Sequence, residues 1–443
     1  MTGTRLLMTF PVTATSHGMA DYRARGGYST LEKVLREMRP EEVTKEVAAS
    51  GILGHGGAAF PAGRKWGVIK LNDEQPHYLC ANADEGEPGT FKDRWILEHA
   101  PHLLIESMAI AAYALQVRHA FIYIRGEFDL PYRRIAAAVD EAYAAGWLGA
   151  SIAGSAFGCD IVVYRGAGSY VCGEASGLLT SLEGRKGYPR NRPPRLTVRG
   201  LYQRPTVVNN VETLANITGI VRDGAAAFRK VGTAKSPGTQ LISISGHVQR
   251  PGVYEVEYGY PFAKFLRDDC GGVLDGRALK CVIPGGISTK VLTAAEIEPL
   301  TLDHASVAAA GSGLGSGGMV VIAEGTCMVR LLQVLLRFYH HESCGQCTPC
   351  REGMGWMHRI IDRIVAGDGE AGDLDRLIAI SNANDGTTIC GMGDAAGYAT
   401  VGILAKYRDE FEHWIVHGRS RHGGRLVVSG VEAPAQEPAL AHG

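Results

Sequence analysis

Residues 77–128 of the sequence read HYLCANADEGEPGTFKDRWILEHAPHLLIESMAIAAYALQVRHAFIYIRGEF. The runs HYLCANAD and RHAFIYIRGEF at its two ends are short and mostly apolar, as buried strands are, and EHAPHLLIESMAIAAYALQ between them predicts a helix. The same alternation continues through PYRRIAAAVDEAYAAGWLG to CDIVVYRGAG and SGLLTSLEG. Strands that alternate with helices predict an α/β domain with a mainly parallel sheet covered by helices on both faces.

The character of the sequence changes twice beyond this α/β region. Short β-rich runs in TQLISISGHVQRPGVYEV and LKCVIPGG, with the helical PFAKFLRDDCGG between them, predict a small α+β module. CMVRLLQVLLRFYHH, MGWMHRIIDRIVAG and GYATVGILAKYRDEFEHWI then predict a small helical bundle. We therefore expect an N-terminal extension (1–27), an α/β domain (28–230), an α+β module (231–325), a helical domain (326–418) and a polar tail that is disordered (419–443).

The N-terminal extension has no clear pattern. The stretch from Leu6 to Val12 is weakly apolar and is interrupted by Thr and Pro, which is not typical of a signal peptide. The better-patterned stretch MADYRARGGYSTLEK begins at Met19, so Met19 is a candidate for the start of the native chain. Within that stretch Ser29 and Glu32 have the spacing of a helix capping box.

The composition argues against some classes of partner. The 443 residues carry a formal net charge of −1, whereas binding to nucleic acid or anionic lipid demands a basic excess. No apolar run approaches the roughly 20 residues needed to span a bilayer. Ten cysteines are too sparse for a disulfide scaffold, which favours a reducing compartment, the cytoplasm. We expect no nucleic acid partner and no direct insertion into a membrane.

Four of the cysteines form the most specific pattern in the sequence. ESCGQCTPCREG places Cys344, Cys347 and Cys350 at C-x2-C-x2-C spacing, and Cys390 follows in TTICGMGD. Three thiolates on one tight loop can each reach a different iron of a cubane, and a fourth from elsewhere closes the site. Structural zinc sites usually have two separated C-x2-C pairs or histidines, so the spacing favours a [4Fe–4S] cluster. The other six cysteines lie in apolar or glycine-rich settings that are typical of buried free thiols.

Two glycine-rich segments could hold an anion. In CDIVVYRGAGSYVCGEASGLLTSLEG, Gly166, Gly168 and Gly173 follow a strand and precede a helix, where backbone N–H groups favour a phosphate. The spacing is not G-x-G-x-x-G, so a plain tight turn is the better explanation of this segment taken alone. The second segment, GHGGAAFPAGRKW, combines closely spaced glycines with Arg64 and Lys65, and its alternative is a flexible surface loop.

Polar side chains also follow two of the predicted strands. ANADEGEPGTFKDR carries four acidic residues, the first at Asp84 and the last at Asp93. A solvated face is the default for such a charge run, but ligands bind at the carboxyl ends of strands in open α/β sheets. Asn209 and Asn210 precede a helix and could be caps or donors to a ligand. Taken singly, these segments leave both alternatives open.

Taken together, the motifs resemble those of one family. GHGGAAFPAGRKW, NADEGEPGTFKDR, GAGSYVCGE with SLEG, PTVVNNVETLANI and ESCGQCTPCREG occur in the order found in the NADH-binding flavoprotein subunit of respiratory complex I. The same family includes the diaphorase subunits of NAD-linked hydrogenases and formate dehydrogenases. The resemblance extends from about Tyr28 to Ile415. It implies a Rossmann-like FMN domain, a small ubiquitin-like module and a C-terminal helical domain that carries the [4Fe–4S] cluster.

The resemblance also implies a route for electrons and a set of binding residues. Hydride would pass from NADH to FMN, and single electrons from FMN to the cluster and on toward quinone. No general acid or base is required, because the protein mainly positions the cofactor. Cys390 becomes the expected fourth cluster ligand. The residues implied at the flavin are Gly54, Gly56, Gly57, Lys65, Asn82, Asp84, Glu85, Gly173, Glu174, Asn209, Asn210 and Thr213, with Gly166 and Gly168 of the first glycine-rich segment. Those implied at the nicotinamide nucleotide are Phe60, Glu87, Tyr170 and Arg192.

The resemblance leaves more than one assembly open. The implied partners are a small [2Fe–2S] subunit and a larger iron–sulfur subunit, which would hold a cytoplasmic chain at the membrane. The absence of a further cysteine motif after the helical region favours the complex I subunit, and a diaphorase subunit of a formate dehydrogenase or hydrogenase is the alternative. A second alternative is a paralogue with a decayed nucleotide site, kept as an electron relay or scaffold.

Several positions depart from the family pattern. The usual GRGGAGFP reads GHGGAAFP, with His55 for Arg and Ala59 for Gly. The second glutamate of CGEE is Ala175, a common aromatic shortly after KW is Val68, and the usual K-P-P-F ends in Arg195. Losing a carboxylate near the ribose removes repulsion toward a 2′-phosphate, and Arg195 could pair with one. We therefore expect a preference that is relaxed or switched toward NADPH.

Overall fold

The protein is described by a computed structural model that covers residues 3–69 and 76–422. Positions 1–2, 70–75 and 423–443 lie outside the described residues. The last range contains most of the predicted polar tail, so that prediction lies outside the described residues as well. Across the part of the chain that is described, no helix combines the length and the apolar character that crossing a membrane requires.

A four-stranded sheet lies at the centre of the first half of the chain. Its strands are β1 (Tyr78–Ala83), β2 (His119–Ile124), β3 (Asp160–Arg165) and β4 (Thr206–Asn210). They lie in the order β3-β2-β1-β4, and every neighbouring pair is parallel. The chain therefore steps outward from β1 to β3 and then crosses back to place β4 on the other side of β1. The predicted α/β fold is confirmed.

Helices cover both faces of this sheet. They are α1 (Met19–Ala24), α2 (Ser29–Glu37), α3 (Pro40–Ser50), α4 (Ala62–Trp66), α5 (Lys92–His99), α6 (Pro101–Ala114), α7 (Asp129–Ala144), α8 (Ala175–Leu182), α9 (Val211–Asp223) and α10 (Ala225–Phe228). Along β1, Leu79 and Ala81 join the core that contains α2, α3, α6 and α9, whereas Cys80 packs with residues of α8. This alternation follows from the two-residue period of a strand, and it buries the sheet on both faces.

The start of α2 shows a tertiary contact in the place of a predicted local one. The helix begins at Ser29, after Tyr28 with φ +63°, and no side chain of its own segment caps it, so the predicted capping box is wrong. Glu106, from the buried helix α6, accepts instead from the backbone N–H of Tyr28 (2.7 Å) and of Leu31 (3.0 Å). A carboxylate from a distant helix thus satisfies N–H groups that have no partner within α2.

A five-stranded mixed sheet forms the second module. The strands of this part are β5 (Thr239–Gly246), β6 (Gly252–Glu257), β7 (Tyr260–Pro261), β8 (Leu279–Ile283), β9 (Leu292–Thr293), β10 (Thr301–Leu302) and β11 (Gly318–Ala323), and its short α-helices are α11 (Phe262–Lys264), α12 (Ala294–Ile297) and α13 (His304–Ala309). The sheet order is β6-β5-β11-β8-β9, with β5 and β11 parallel and the other pairs antiparallel. The expected small α+β module, ubiquitin-like in its mixed sheet, is confirmed.

Four longer helices form the last part of the described chain. They are α14 (Met328–Glu342), α15 (Thr348–Ala366), α16 (Asp373–Asn384) and α17 (Met392–His417). Their core also contains Ile283 of β8 and Ile322 of β11, so the helical part and the second module share apolar contacts. The predicted helical bundle is present, and it is not an isolated unit.

The N-terminal extension is ordered against both sheet modules. Leu7 is buried in the core of the α/β domain. The backbone N–H groups of Leu6, Leu7 and Met8 donate to the carboxylate of Glu255 on β6, at distances between 2.6 and 3.1 Å. Residues 6–8 therefore tie the first domain to the second module, which their irregular sequence did not indicate.

We predict that a chain starting at Met19 is less stable than the full chain. Deletion of residues 1–18 removes the buried Leu7 side chain, worth about 2 kcal/mol of apolar burial, and three backbone donors to Glu255. Thermal unfolding should give a melting temperature lower by several degrees. Leu7→Ala should reproduce part of the loss, whereas Thr9→Ala, at an exposed position, should not. An unchanged melting temperature for the deletion would contradict this role.

Candidate functional site

The candidate site lies where the strand order reverses. Strands β2 and β4 flank β1 on opposite sides, and Asn82 of β1 pairs in register with Asn210 of β4. In open α/β sheets ligands bind beyond the carboxyl ends of the strands at such a switch point. The acidic segment that follows β1 and the paired asparagines that end β4 are therefore brought together by the topology.

A cavity opens at this point and is lined from two separate parts of the chain. Predicted residues that line it are Gly56, Asn82, Asp84, Glu85, Glu87, Tyr170, Gly173, Glu174, Asn210 and Cys390. Gly391 and Met392, which begin α17, complete the wall on the side of Cys390. Part of the predicted flavin set and one predicted cluster ligand thus share one cavity.

Asp84 gives this cavity an unsatisfied buried acceptor. Its side chain is 7% exposed, and its Oδ2 atom has no hydrogen-bond partner among the described residues. Burial raises the pKa of Asp84 from 3.8 to about 7, against the opposing effect of Arg125. Leaving a buried acceptor unpaired costs about 1–3 kcal/mol, so the position suits a ligand that supplies an N–H or O–H donor.

Glycines mark the places where a ligand could approach the backbone. A Cβ atom at Gly173 would lie 3.2 Å from the carbonyl oxygen of Asp84, and one at Gly56 would lie 3.3 Å from Cβ of Asn210. Side chains at these positions would therefore crowd the floor of the cavity. Together with the acceptors of Asp84 and Asn82, this surface fits a flavin, which carries ring N–H and ribityl hydroxyl donors.

Two predicted ligand residues also have structural roles. Asn210 caps α9, since its Oδ1 atom accepts from the N–H groups of Glu212 (3.0 Å) and Thr213 (3.4 Å). Asn82 donates through Nδ2 to the carbonyl of Gly173 at 2.9 Å, and this bond joins the end of β1 to the glycine-rich segment. The cap and the ligand-donor hypotheses for Asn210 are therefore compatible, because the residue also lines the cavity.

Glu174 is held by hydrogen bonds at the start of α8. Its carboxylate accepts from the N–H groups of Ser176 and Gly177, and it pairs with Arg192 at 2.6 Å. Arg192 is exposed, so the pair is worth less than a buried one. Ala175 occupies the first helical position, where a carboxylate was expected.

A buried cluster of charges lies behind the acidic segment, and sequence reasoning missed its centre. Lys92 is 1% exposed, and its Nζ atom lies 2.8 Å from Asp93 and 2.7 Å from Glu212. Glu85 accepts from the N–H groups of Asp93 and Arg94. Burial raises the pKa of Glu212 to about 7, in spite of Lys92. The available signal was a lysine in FKDR and a glutamate in NNVETL beside otherwise apolar segments.

His55 borders both this cluster and the cavity. Burial lowers the pKa of His55 to about 3, and the nearby Lys92 adds to this effect, so the ring is neutral at pH 7. Its Nε2 atom lies 3.1 Å from the carbonyl of Thr239 and 3.8 Å from the Glu212 carboxylate. A neutral imidazole therefore occupies the position where an arginine is usual.

The remaining predicted flavin residues do not line the cavity. Lys65 donates to the carbonyl of Val208 at 2.8 Å, and burial lowers the pKa of Lys65 to about 8, with Arg192 contributing. Asn209 accepts from the indole of Trp66 at 3.0 Å. The others are Thr213, which accepts from the His55 N–H, Gly54, which donates to the Phe60 carbonyl, and Gly57, which lines an adjoining cavity.

Gly166 and Gly168 lie in an irregular stretch after β3 (residues 166–169) that is not a hydrogen-bonded turn, so the predicted tight turn is wrong. Gly166 donates to the carbonyl of Ile124, and a Cβ atom there would lie 2.7 Å from the Tyr123 hydroxyl oxygen. Gly168 has φ +82°, and a Cβ atom there would lie 3.1 Å from the carboxylate of Glu127. Neither residue lines the cavity, whereas Gly173 of the same segment does.

The predicted nucleotide residues divide into two groups. Glu87 and Tyr170 lie in the cavity wall, with the Tyr170 hydroxyl donating to Glu87 at 2.6 Å. Phe60 is 47% exposed, and the guanidinium of Arg64 lies 5.9 Å from its ring centroid. Neither Phe60 nor Arg192 lines the cavity, and Val68, which stands where an aromatic is common, is also exposed.

The four predicted cluster cysteines converge at the end of the helical part. Burial raises the pKa of Cys390 to about 11, and Cys344 and Cys350 add to it, since they lie close enough to repel its thiolate. The N–H of Ile389 donates to Sγ of Cys347 at 3.4 Å. Cys344 lies two residues after α14, and Cys347 immediately precedes α15. This set of four converging thiols fits the ligand set of a [4Fe–4S] cluster.

A site for a single metal ion has different requirements from a site for a cluster. Among residues 3–69 and 76–422, no three His, Cys, Asp or Glu side chains are placed to hold one metal ion. A cubane is bound at four separate irons, so this finding concerns single-ion sites alone.

Comparison with known sequences shows which family the chain belongs to. The chain is 47% identical to the second NADH-quinone oxidoreductase F subunit of Rhizobium meliloti (strain 1021), with 89% of this chain and 94% of the relative covered. It is 46% identical to the NADH-quinone oxidoreductase F subunit of Mycobacterium tuberculosis (strain ATCC 25618 / H37Rv), with 92% of each covered. The chain belongs to the F-subunit family of NADH-quinone oxidoreductases. The resemblance noted from the motifs is therefore confirmed.

Family profiles and a solved structure agree with this membership. The Nuo51 FMN-binding domain matches residues 47–219, the SLBB domain matches 240–321, and the NADH-ubiquinone oxidoreductase-F iron–sulfur binding region matches 330–414. The crystal structure of an NAD+-reducing [NiFe]-hydrogenase in the H2-reduced state superposes with a TM-score of 0.79 at 33% identity. That comparison covers 92% of this chain and 66% of the hydrogenase chain. FMN and a [4Fe–4S] cluster are the cofactors of these regions.

We predict that Asp84→Asn has opposite effects on flavin binding and on stability. Folding raises the Asp84 pKa from 3.8 to about 7, so its stabilising protonated form is present below pH 4 and is lost as the pH rises through 7. Asparagine removes this loss. The melting temperature of flavin-free D84N should therefore exceed that of wild type by an amount that grows from pH 5 to pH 8.

The same substitution should weaken FMN binding roughly tenfold, because a charged acceptor is lost. Fluorescence titration with FMN measures this, and Asp140→Asn, on the exposed face of α7, is the matched control. A D84N variant that binds FMN as wild type does would exclude Asp84 from the flavin site.

Proposed function

We propose that this chain is the electron-input flavoprotein subunit of an NADH-quinone oxidoreductase. It oxidises NADH at FMN and delivers single electrons to its [4Fe–4S] cluster. The observation that carries the proposal is the shared cavity, whose wall runs from Asp84 and Gly173 to Cys390. A flavin held there would lie beside a ligand of the cluster, as a two-electron to one-electron converter requires.

The residues of the chain have distinct tasks in this reaction. When bound, FMN accepts two electrons as hydride and releases them one at a time. Asp84 and Asn82 would accept hydrogen bonds and orient the flavin, and Gly173 leaves room for its close approach. Glu87 and Tyr170 would orient the nicotinamide nucleotide. The contribution of the protein is orientation, so no side chain has to act as general acid or base.

The cluster is held by Cys344, Cys347, Cys350 and Cys390 in this proposal. The flavin-binding set also includes Gly54, Gly56, Gly57, Lys65, Glu85, Glu174, Asn209, Asn210 and Thr213, with Gly166 and Gly168 of the first glycine-rich segment. Phe60 and Arg192 would complete the nucleotide site. The domain limits proposed for these functions are 28–230, 231–325 and 326–418, preceded by the extension 1–27.

The proposed partners are the other subunits of the same complex. A small [2Fe–2S] subunit and a larger iron–sulfur subunit would receive the electrons and pass them toward quinone. The chain would be cytoplasmic and peripheral to the membrane through these partners. The relatives are named as subunits of NADH-quinone oxidoreductases, which supports the presence of partner subunits without identifying them.

A diaphorase subunit is the second candidate function. The superposition on an NAD+-reducing [NiFe]-hydrogenase favours it, since the same flavoprotein fold occurs there. The higher identity to the F subunits of NADH-quinone oxidoreductases places the oxidoreductase first. A decayed relay is the weakest alternative, because the cavity and all four cysteines are retained.

The proposal predicts that NADH reduces the flavin before the cluster. It also predicts that substitution of Cys390 blocks reduction of the cluster and leaves reduction of the flavin intact. In FMN-loaded, cluster-reconstituted protein under anaerobic conditions, NADH should bleach the flavin absorbance and produce the electron paramagnetic resonance signal of a reduced cluster. Cys390→Ala should keep the bleaching and lose that signal. Cys270→Ala, at a buried thiol of the second module, should behave as wild type. Absence of bleaching in wild type would overturn the proposed function.

We further propose that the nucleotide site tolerates NADPH. Ala175 leaves the start of α8 without a second carboxylate. Arg195 is exposed and is close in sequence to Arg192. Both features make this site more favourable for a 2′-phosphate than a site with the usual family residues would be.

We predict that Ala175→Glu lowers kcat/KM for NADPH roughly tenfold while that for NADH changes little, because a carboxylate repels the 2′-phosphate. Ala145→Glu adds the same charge at an exposed position at the end of α7 and serves as the control. Steady-state kinetics with both nucleotides measure the ratio. A wild-type protein that uses NADPH far less well than NADH would refute the tolerance.

A further inference from the structure

The acidic segment is seated on the second module. The hydroxyls of Thr90 and Ser316 lie 2.6 Å apart, and the N–H of Phe91 donates to the hydroxyl of Ser243 on β5 at 2.9 Å. Gly89, with φ +93°, packs so closely that a Cβ atom there would lie 2.9 Å from the side chain of Val320 on β11. The conformation of the segment therefore depends on a sheet that is distant in sequence.

Within this segment, the Glu87 carboxylate is held from two sides. The backbone N–H of Ser288, in the loop after β8, donates to Oε1 at 2.8 Å. The hydroxyl of Tyr170 donates to Oε2 at 2.6 Å. Tyr170 is itself fixed, because its N–H donates to Glu342 at the end of α14 and its ring packs edge-on against Phe338. Each carboxylate oxygen thus has a donor from a different part of the chain.

Gly286 sets the close approach on the side of the second module. Its φ is +95°, and its N–H donates to the carbonyl of Gly318 at 2.6 Å. A Cβ atom at this position would lie 2.4 Å from Cγ of Glu87. Because Cγ lies near the backbone, the glutamate could clear such an atom only by leaving its present rotamer. The loop 284–289 therefore fixes where the carboxylate points.

We propose that Gly286 and Ser288 of the second module position the Glu87 carboxylate for the nicotinamide nucleotide. This inference rests on the proposed function, in which Glu87 contacts that nucleotide. It gives the second module a task in substrate recognition: its loop forms one side of a clamp, and Tyr170 forms the other. Glu87 also lines both the flavin cavity and the adjoining one, so a shift of its side chain changes the wall between them.

The test measures binding of a nucleotide that cannot reduce the flavin. Titration calorimetry with tetrahydro-NADH on FMN-loaded protein gives its Kd, and flavin absorbance gives the FMN content. Gly286→Ala should raise the Kd roughly tenfold, because the added methyl displaces Glu87. It should leave the FMN content unchanged. Gly272→Ala is the matched control: Gly272 has φ +78° in the same module, with open space around its Cβ position. It should leave the Kd unchanged.

A double-mutant cycle shows whether the effect passes through Glu87. In a Glu87→Ala background the clash is absent, so adding Gly286→Ala should change the Kd by less than about twofold. Equal effects of Gly286→Ala in both backgrounds would overturn the proposal. If Gly286→Ala alone does not fold, recovery of folded, FMN-loaded protein in the double variant supports the contact, and no recovery overturns it.

The outcomes separate this inference from the proposed function. If the wild-type protein binds neither NADH nor the analogue, the proposed function fails. If the wild type binds the analogue and Gly286→Ala behaves as Gly272→Ala does, only the positioning role fails.

Discussion

The buried ammonium of Lys92 is the constraint on which the site depends. A charge removed from water must be paired, and here the partners are Asp93 of the same segment and Glu212 of α9. Glu212 in turn accepts from the N–H of Leu241 on β5 at 2.7 Å. One buried cation thus ties the segment after β1, the helix after β4 and the first strand of the second module. Displacing any of these would leave a buried charge without its partner.

This constraint explains why the cavity has contributors from the whole chain. The segment held by Lys92 supplies Asp84 and Glu87, the α/β domain supplies Gly173 and Asn82, and the helical part supplies Cys390. The second module then fixes Glu87 through the N–H of Ser288. Each part is positioned by polar contacts with another, so the site is a property of the assembled chain.

The electrostatics of the cavity differ from those that an arginine at position 55 would create. Lys92 is surrounded by Glu85, Asp93 and Glu212, and His55 adds no charge because its pKa lies far below 7. Burial raises the pKa values of Glu85 and Glu212, so protonation limits the negative charge near the flavin position. A bound flavin would therefore lie in a field set by one lysine and its carboxylates.

The sequence by itself determined the order of the modules, the parallel α/β sheet and the triple spacing of Cys344, Cys347 and Cys350, because periodicity and spacing are local properties of the chain. It also indicated which strand ends would carry the site. It could not show that Glu106 caps α2, that residues 6–8 are fixed by Glu255, or that Gly166 and Gly168 do not line the cavity. Those outcomes depend on groups that meet only after folding. Cys390 was determined in both ways: the family resemblance marked it as a cluster ligand, and only the tertiary structure placed it in the same cavity wall as Asp84 and Gly173, which are distant in sequence.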